Sequence, residues 1–139
     1  MKKYFSLLVV LLPIFSFCQS VTLDKLISYS KFQNLKIIAN DLDQKGFITK
    51  IDDAQLGAVK TEDSKTASEV VQCIIVREHN NFSVVYQSPI YFSKIKKIAI
   101  TPKSRFIKTD NGITFYDNGT YNIGFDDSHQ VLAIYSVLK

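Results

Sequence analysis

The sequence predicts an α+β protein in which two helices pack on one face of an antiparallel β-sheet. Two segments carry apolar residues at helical spacing, and each is followed by short stretches in which apolar and polar residues alternate. Helices and alternating strands each have one apolar face, and packing the helices against one side of a sheet buries both faces. The length of 139 residues and the hydrophobic content of 46% fit one globular domain.

The first twenty residues have the layout of a cleavable secretory signal peptide. Lys2 and Lys3 precede an apolar run at residues 4–17, and small or polar residues follow. As a helix, this run would be about 21 Å long, too short for a hydrocarbon core of about 30 Å. We expect residues 1–20 to be removed. Residues 21–139 would then form a single exported domain, periplasmic or secreted, with no integral membrane span.

The position of cleavage has alternatives. Cleavage after Cys18 leaves Gln19 as the first residue, whereas cleavage after Ser20 leaves Val21. Lipidation of Cys18 would instead hold the protein on a membrane by acyl chains. Bulky Phe17 stands where lipoprotein signals such as L-A-G-C have a small residue, which disfavours lipidation. An uncleaved N-terminal anchor is the remaining alternative.

The first long helix is predicted over Lys31–Lys45. Ser30 and Gln33 have the spacing of a capping box, and Gly46 suits the left-handed conformation that ends a helix. Before this helix, Thr22 is predicted to cap a short helical turn. The apolar stripe of the long helix consists of Leu35, Ile38, Ala39 and Leu42.

The strands of the first half are predicted from alternation and turn residues. Phe47–Ile51, Val70–Glu78 and Phe82–Tyr86 are the predicted strands, and His79-Asn80-Asn81 is the turn between the last two. Residues 52–69 are acidic and have few large apolar side chains. They are predicted to form a loop, with a weak strand near Ala58–Lys60 as the alternative.

The second half repeats this order. Ser88-Pro89 suits the start of a helix that Pro102 stops. Strands are predicted at 106–107 with 112–116, at 121–125 and at 131–138. The segment Asp117-Asn118-Gly119 is predicted to form a type I′ hairpin turn, because Asn-Gly readily adopts positive φ angles.

The two halves match each other in their apolar positions. Phe32, Ile38 and Phe47 correspond to Phe92, Ile98 and Phe106, and this predicts a tandem α-β-β-β duplication with repeats 30–88 and 89–139. Two unrelated helix-plus-meander segments are the alternative. The tandem layout resembles the β-lactamase inhibitory protein and related small periplasmic domains. No motif of that family is matched residue by residue, so the resemblance implies architecture and no inhibitory activity.

Catalytic and metal-binding chemistry is sparse, and neither a cofactor nor a metal is expected. The sequence has no G-x-S-x-G, P-loop, H-E-x-x-H or C-x-x-C motif. Cys73 lies in an apolar run and is predicted to be a buried, inert thiol. The enzymatic alternative is a small envelope hydrolase that uses His79 or His129. It requires a carboxylate within hydrogen-bond reach of one histidine and a pocket beside it.

Charge and aromatic residues suggest a binding surface. Of 17 basic residues, 15 remain after the leader is removed, against 13 acidic residues, so the formal net charge falls from +4 to +2. This weak charge does not favour nucleic acid. Basic residues cluster around the second helix, and tyrosines lie on the last strands. The candidate binding residues are Lys94, Lys97, Lys103, Arg105, Lys108, Tyr116 and Tyr121.

The resulting hypothesis is a small exported interaction protein without catalytic function, inhibitor-like or immunity-like in size. Its partner is expected to be an envelope or extracellular protein, bound by the outer sheet face or by the basic helix. A contact with anionic envelope lipid is an alternative role for the basic patch. A solvated helix face and tyrosines packed in the core would give the same pattern without function.

Overall fold

Three helices and an eight-stranded antiparallel sheet form the part of the chain that the computed structural model describes, residues 21–61 and 67–139. This confirms the α+β class. The predicted signal peptide lies outside the described residues. The helices are α1 (Leu23–Phe32), α2 (Leu35–Gln44) and α3 (Phe92–Ala99). The strands are β1 (Ile48–Asp52), β2 (Gln55–Thr61), β3 (Ala67–Val76), β4 (Asn81–Gln87), β5 (Arg105–Asp110), β6 (Ile113–Asp117), β7 (Asn122–Asp126) and β8 (Val131–Val137).

The strand order is β1-β2-β3-β4-β8-β7-β6-β5. Each half of the chain therefore contributes a four-stranded meander, one strand more than predicted. The last strands of the two meanders, β4 and β8, pair at the centre, with Val84 opposite Ile134. Both halves share the order of helix and then meander, and the tandem duplication stays a prediction.

The predicted single helix over residues 31–45 is wrong, because the chain breaks between α1 and α2. Gln33 ends α1 in the left-handed conformation, with φ of 56°. Asn34 then caps α2, since its side-chain oxygen accepts from the backbone nitrogens of Lys36 (3.1 Å) and Ile37 (3.2 Å). The Ser30 hydroxyl donates to a carbonyl of α1, so the predicted capping box does not form. The described residues form three helices, where two were predicted.

The predicted cap of the first helical turn and the predicted left-handed glycine are both found. The Thr22 hydroxyl accepts a hydrogen bond from the backbone nitrogen of Lys25 at 3.3 Å. Gly46 follows α2 with φ of +86°. None of the helices in residues 21–61 and 67–139 is long and apolar enough to cross a membrane.

The predicted loop at residues 52–69 is wrong, because this segment contains β2 and the start of β3. The alternative, a weak strand near Ala58–Lys60, is found, and it lies within the longer β2. The strand β2 pairs with β1 on one side and with β3 on the other. Leu56 and Ala58 point into the core and are almost completely buried. Two ladders of backbone hydrogen bonds and two buried apolar side chains thus maintain a strand that has few large apolar residues.

The pair of positive φ angles that marks a type I′ turn occurs in the β5–β6 hairpin, one hairpin earlier than predicted. Asn111 and Gly112, between β5 and β6, both have positive φ angles, 50° and 81°. At the predicted turn, β6 and β7 are joined by the wider loop 118–121, in which the Asn118 nitrogen donates to the Tyr121 carbonyl at 3.0 Å. Only Gly119 has a positive φ in that loop. Both sites read Asp-Asn-Gly, so the dipeptide alone does not select the turn type.

All three helices cover the same face of the sheet. Leu26 of α1, Leu42 of α2 and Phe92 of α3 join strand residues in one core. Phe92 packs edge-to-face on Phe125 of β7, with ring centroids 6.4 Å apart. The thiol of Cys73 is completely buried in this core, as predicted, and its desolvation raises the pKa to about 12. The strand residues in the core are Leu56, Ala58, Val71, Cys73, Phe82, Val84, Tyr86, Ile123, Phe125, Leu132 and Ile134.

Candidate functional site

The side of the sheet opposite the helices is called the open face here. Alternation along the strands places every second side chain on it, and no helix of the described residues covers it. The open face is partly apolar, and its edge residue Ile48 is 80% exposed. Its central row, in cross-strand register, consists of Lys50, Gly57, Gln72, Val85, Ala133, Gly124, Phe115 and Lys108.

A groove lies at one end of the open face. It consists of two adjoining cavities of about 360 Å³ and 280 Å³, which share Asn81, Asn122 and Tyr135 in their linings. The larger cavity extends over the β3–β4 and β6–β7 turns, and the smaller one reaches Phe115 and Lys108. We call these joined cavities the Tyr135 groove. Their sizes lie near the lower end of the range of typical ligand sites.

Two aromatic rings and a lysine side chain pack against one another along one wall of the Tyr135 groove. The rings of Phe115 and Tyr135 have centroids 6.0 Å apart, and the Lys108 ammonium lies 5.7 Å from the Phe115 centroid. Gly124, opposite Phe115 in the β6–β7 register, leaves room for the ring: a Cβ at Gly124 would lie 3.0 Å from Phe115 Cε1. Burial raises the pKa of the Tyr135 phenol, which keeps it protonated and available as a hydrogen-bond donor.

Side-chain amides provide the polar part of the groove. Asn81 and Asn122 form no side-chain hydrogen bond within residues 21–61 and 67–139. An amide offers two donors and one acceptor, so the pair can bind neutral polar groups such as peptide units. The groove thus combines apolar surface with uncharged hydrogen-bonding groups.

The structure divides the predicted basic cluster between two sides of the molecule. Lys94 and Lys97 are exposed on α3, in the helix layer, and Lys103 is exposed in the following loop. Arg105 and Lys108 lie on β5 at the edge of the open face. There Arg105 pairs with Asp117 at 2.6 Å and Lys108 with Asp110 at 3.3 Å. The five basic residues therefore do not form one patch.

The two predicted tyrosines face the core side more than the open face. Tyr116 packs against Phe106 and Phe125, with centroid distances of 6.1 Å to each, on the helix-covered side. Tyr121 is half-buried, accepts a hydrogen bond from the Asn118 amide at 3.0 Å and lines the larger cavity. The sequence reasoning missed Phe115, although strict alternation in β6 puts Phe115 and Tyr116 on opposite faces.

The two histidines differ in their surroundings. His79 lines the larger cavity, whereas His129 is 74% exposed at the tip of the β7–β8 hairpin. There His129 Nδ1 lies 2.7 Å from Asp126 Oδ2, and the Ser128 hydroxyl donates to Asp126 Oδ1 at 2.6 Å. The hydrogen bond from Ser128 and then that from His129 lower the pKa of the Asp126 carboxyl to about 2. A carboxylate is within reach of His129, but the ring stands in solvent.

Within the described ranges, no group of three or more histidine, cysteine, aspartate or glutamate side chains is placed to hold a metal ion. The fold and the groove define a small α+β protein with one sheet face that no described helix covers. Comparisons with protein families, with characterised proteins and with solved structures find no match to this chain. The predicted resemblance to the β-lactamase inhibitory protein gains no support from these comparisons.

Proposed function

We propose that this protein is a small exported interaction protein without catalytic function, and that it contacts a partner protein through the open face around the Tyr135 groove. The observation that carries the proposal is the pair of contacting rings of Phe115 and Tyr135, which stands half-exposed on a sheet face that no described helix covers. Exposed aromatic residues in a concave setting are typical anchors of protein interfaces.

The arrangement around the groove resembles a protein interface more than a site for a charged small molecule. Apolar side chains continue along the open face, including Ile48 and Val59, which are exposed. The charges beside the groove are already neutralised within the chain by the pairs of Arg105 and Lys108 with aspartates. An apolar centre with a polar, charge-balanced rim is the usual composition of such interfaces.

The alternatives have weaker support. The basic residues of α3 remain exposed, but Lys96, between Lys94 and Lys97, already pairs with Asp127 at 2.6 Å. This leaves a short stretch of positive charge for an acidic partner or anionic lipid. A hydrolase needs a histidine that has both a carboxylate partner and a substrate pocket. His129 has the carboxylate but stands exposed at a hairpin tip, whereas His79 lines the larger cavity and forms no ion pair with a carboxylate of the described residues.

The export part of the proposal rests on the leader pattern in residues 1–20. Cell fractionation of the full-length protein, followed by intact mass measurement, tests it. We expect a shortened chain in the periplasm or medium. A cytoplasmic chain that retains Met1 would overturn the export assignment.

The binding face is tested by site-specific photo-crosslinking in envelope extract and culture medium. A benzoylphenylalanine at Tyr135 is expected to trap one discrete protein, whereas the same group at Ile37, exposed in the helix layer, should not. The second step is competition with unlabelled variants. Phe115→Glu should compete at least about tenfold less well than the parent protein, since hot-spot losses of about 1.4 kcal/mol or more are typical. The matched control Ile98→Glu, exposed on α3, should compete normally. Equal trapping at both positions, or equal competition by both variants, would refute the assignment.

A further inference from the structure

A buried carboxylate lies beside the start of the described chain. Glu69 on β3 is 2% exposed. Its Oε1 atom accepts hydrogen bonds from the Tyr86 hydroxyl at 2.7 Å and from the backbone nitrogen of Val21 at 3.1 Å. Val21 is itself completely buried and packs in the core. Val21, two residues before α1, is therefore held at a buried carboxylate.

The charge of this carboxylate has no visible counterpart. A buried charge is costly unless an opposite charge accompanies it. Among residues 21–61 and 67–139, Glu69 forms no ion pair with a lysine, arginine or histidine. Its cross-strand neighbour Lys60 has its ammonium 5.8 Å from the centroid of the Phe47 ring. Burial and then the hydrogen bond to Glu69 raise the pKa of Tyr86, so this donor is a neutral phenol.

We propose that processing during export hydrolyses the Ser20–Val21 peptide bond, and that the new α-ammonium group of Val21 forms a buried ion pair with Glu69. The inference rests on the proposed export. Hydrolysis consumes one water molecule: its oxygen joins the Ser20 carbonyl carbon as the C–N bond breaks, and both its hydrogens end on the Val21 nitrogen. Near neutral pH the α-amino group, whose ordinary pKa is about 7.7–8.0, is mostly protonated.

This geometry selects between the two candidate cleavage positions. Cleavage after Ser20 places the new positive charge on the atom that already lies 3.1 Å from Glu69 Oε1. Cleavage after Cys18 leaves that atom a neutral peptide nitrogen. Both positions have the small-x-small spacing that signal peptidases recognise, Ser16 and Cys18 for the first and Cys18 and Ser20 for the second, so the contact with Glu69 alone separates them. Removal of the leader thus supplies the missing counter-charge, and the mature chain is more stable than its precursor.

The first test is the N-terminus of the protein purified from the compartment to which it is exported, determined by intact mass and Edman sequencing. A mature chain that begins with Val21 is expected. A chain that begins with Gln19 would overturn this inference and leave the export proposal intact, whereas a chain that keeps Met1 would overturn both.

The second test measures the ion pair directly and does not depend on where the chain is cleaved in the cell. Residues 21–139 are prepared with a native Val21 amine and with an acetylated one, each with Glu69 or with Glu69→Gln. Acetylation removes the charge, keeps one N–H donor and restores the carbonyl group that precedes Val21 in the uncleaved chain. We expect it to raise the unfolding equilibrium constant roughly ten- to one-hundred-fold with Glu69, the usual worth of a charged hydrogen bond. With Glu69→Gln the effect should be absent or reversed.

The matched control is Asp24→Asn, an exposed acid in the first turn of α1, where acetylation should act as in the parent. The same effect of acetylation with Glu69 and with Glu69→Gln would refute the ion pair.

A further measurement needs no Glu69 variant. In folded residues 21–139, the Val21 amine should react with an amine-acylating reagent at least about tenfold more slowly than the exposed lysines, because it is buried. Labelling at the rate of an exposed amine would refute the inference even if Glu69→Gln does not fold.

Discussion

Two glycines in the central row of the open face should respond in opposite directions to the same substitution. Gly57 on β2 and Gly124 on β7 both lie at positions where any other residue would place its side chain on that face. At Gly57, no non-adjacent heavy atom lies within 4 Å of an added Cβ. At Gly124, the added Cβ would lie 3.0 Å from Phe115 Cε1 and 3.2 Å from Ile113 Cγ2. Neither glycine has a positive φ angle, so steric contact alone separates the two sites.

The expected magnitudes follow from these contacts. Replacing a strand glycine by alanine removes backbone entropy from the unfolded chain and is worth about 0.5–1 kcal/mol, so Gly57→Ala should stabilise the fold by about that amount. Gly124→Ala has the same gain, but overpacking costs about 1–3 kcal/mol. We expect a net loss of about 1 kcal/mol, with the Phe115 ring displaced from Tyr135.

Urea unfolding followed by circular dichroism measures the difference. The two variants should differ by about 1.5–2 kcal/mol, which corresponds to midpoints about 1 M apart for an m-value of about 1.5–2 kcal/mol/M. Gly124→Ala should also weaken partner capture at Tyr135, and Gly57→Ala should not. Midpoints that move in the same direction by the same amount would refute the reasoning about Phe115 and Gly124.

Three further predictions concern polar groups. Tyr29→Phe removes the hydroxyl that donates to Asp41 and should lower the free energy of unfolding by about 1–2 kcal/mol, measured in urea. The Asp126 carboxyl should titrate near pH 2 by NMR, and Ser128→Ala should raise its pKa toward the ordinary value of about 3.9. Since the pKa of the Asp126 carboxyl is lower in the folded state than in the unfolded state, the contribution of Asp126 to stability is present above about pH 4 and is lost as the pH falls through about 2. Cys73 should resist thiol reagents in the folded protein and react in 8 M urea, because the buried thiol becomes accessible only when the chain unfolds, at a cost of ~5 kcal/mol or more. Rapid labelling of the native protein would contradict its burial.

Patterns with a local cause were predictable from the sequence. The α+β class, the Thr22 cap, the left-handed Gly46 and the buried Cys73 all follow from neighbours within a few residues. The break between α1 and α2 is also local, and Asn34 is an ordinary helix cap. The sequence reasoning does not find it, because the capping-box spacing of Ser30 and Gln33 starts the predicted helix at Lys31 and places Asn34 inside it.

The candidate site was less predictable, because it depends on which strands become neighbours. Tyr116 and Phe115 are adjacent in sequence and lie on opposite faces of the sheet. Asn81 and Asn122 belong to different halves of the chain, and both line the Tyr135 groove only because β4, β8 and β7 are neighbours in the sheet. No periodicity within a single strand contains that information.

Composition, periodicity and capping residues by themselves determined the class of fold, the leader pattern and most helix and strand positions, because these depend on interactions between residues close in the chain. Tertiary structure alone decided the full length and pairing of β2, the division of the basic residues between two sides, and the contact of Glu69 with the Val21 nitrogen. Each of these depends on the pairing of distant segments, where the cost of ordering the chain is recovered only when the whole sheet assembles.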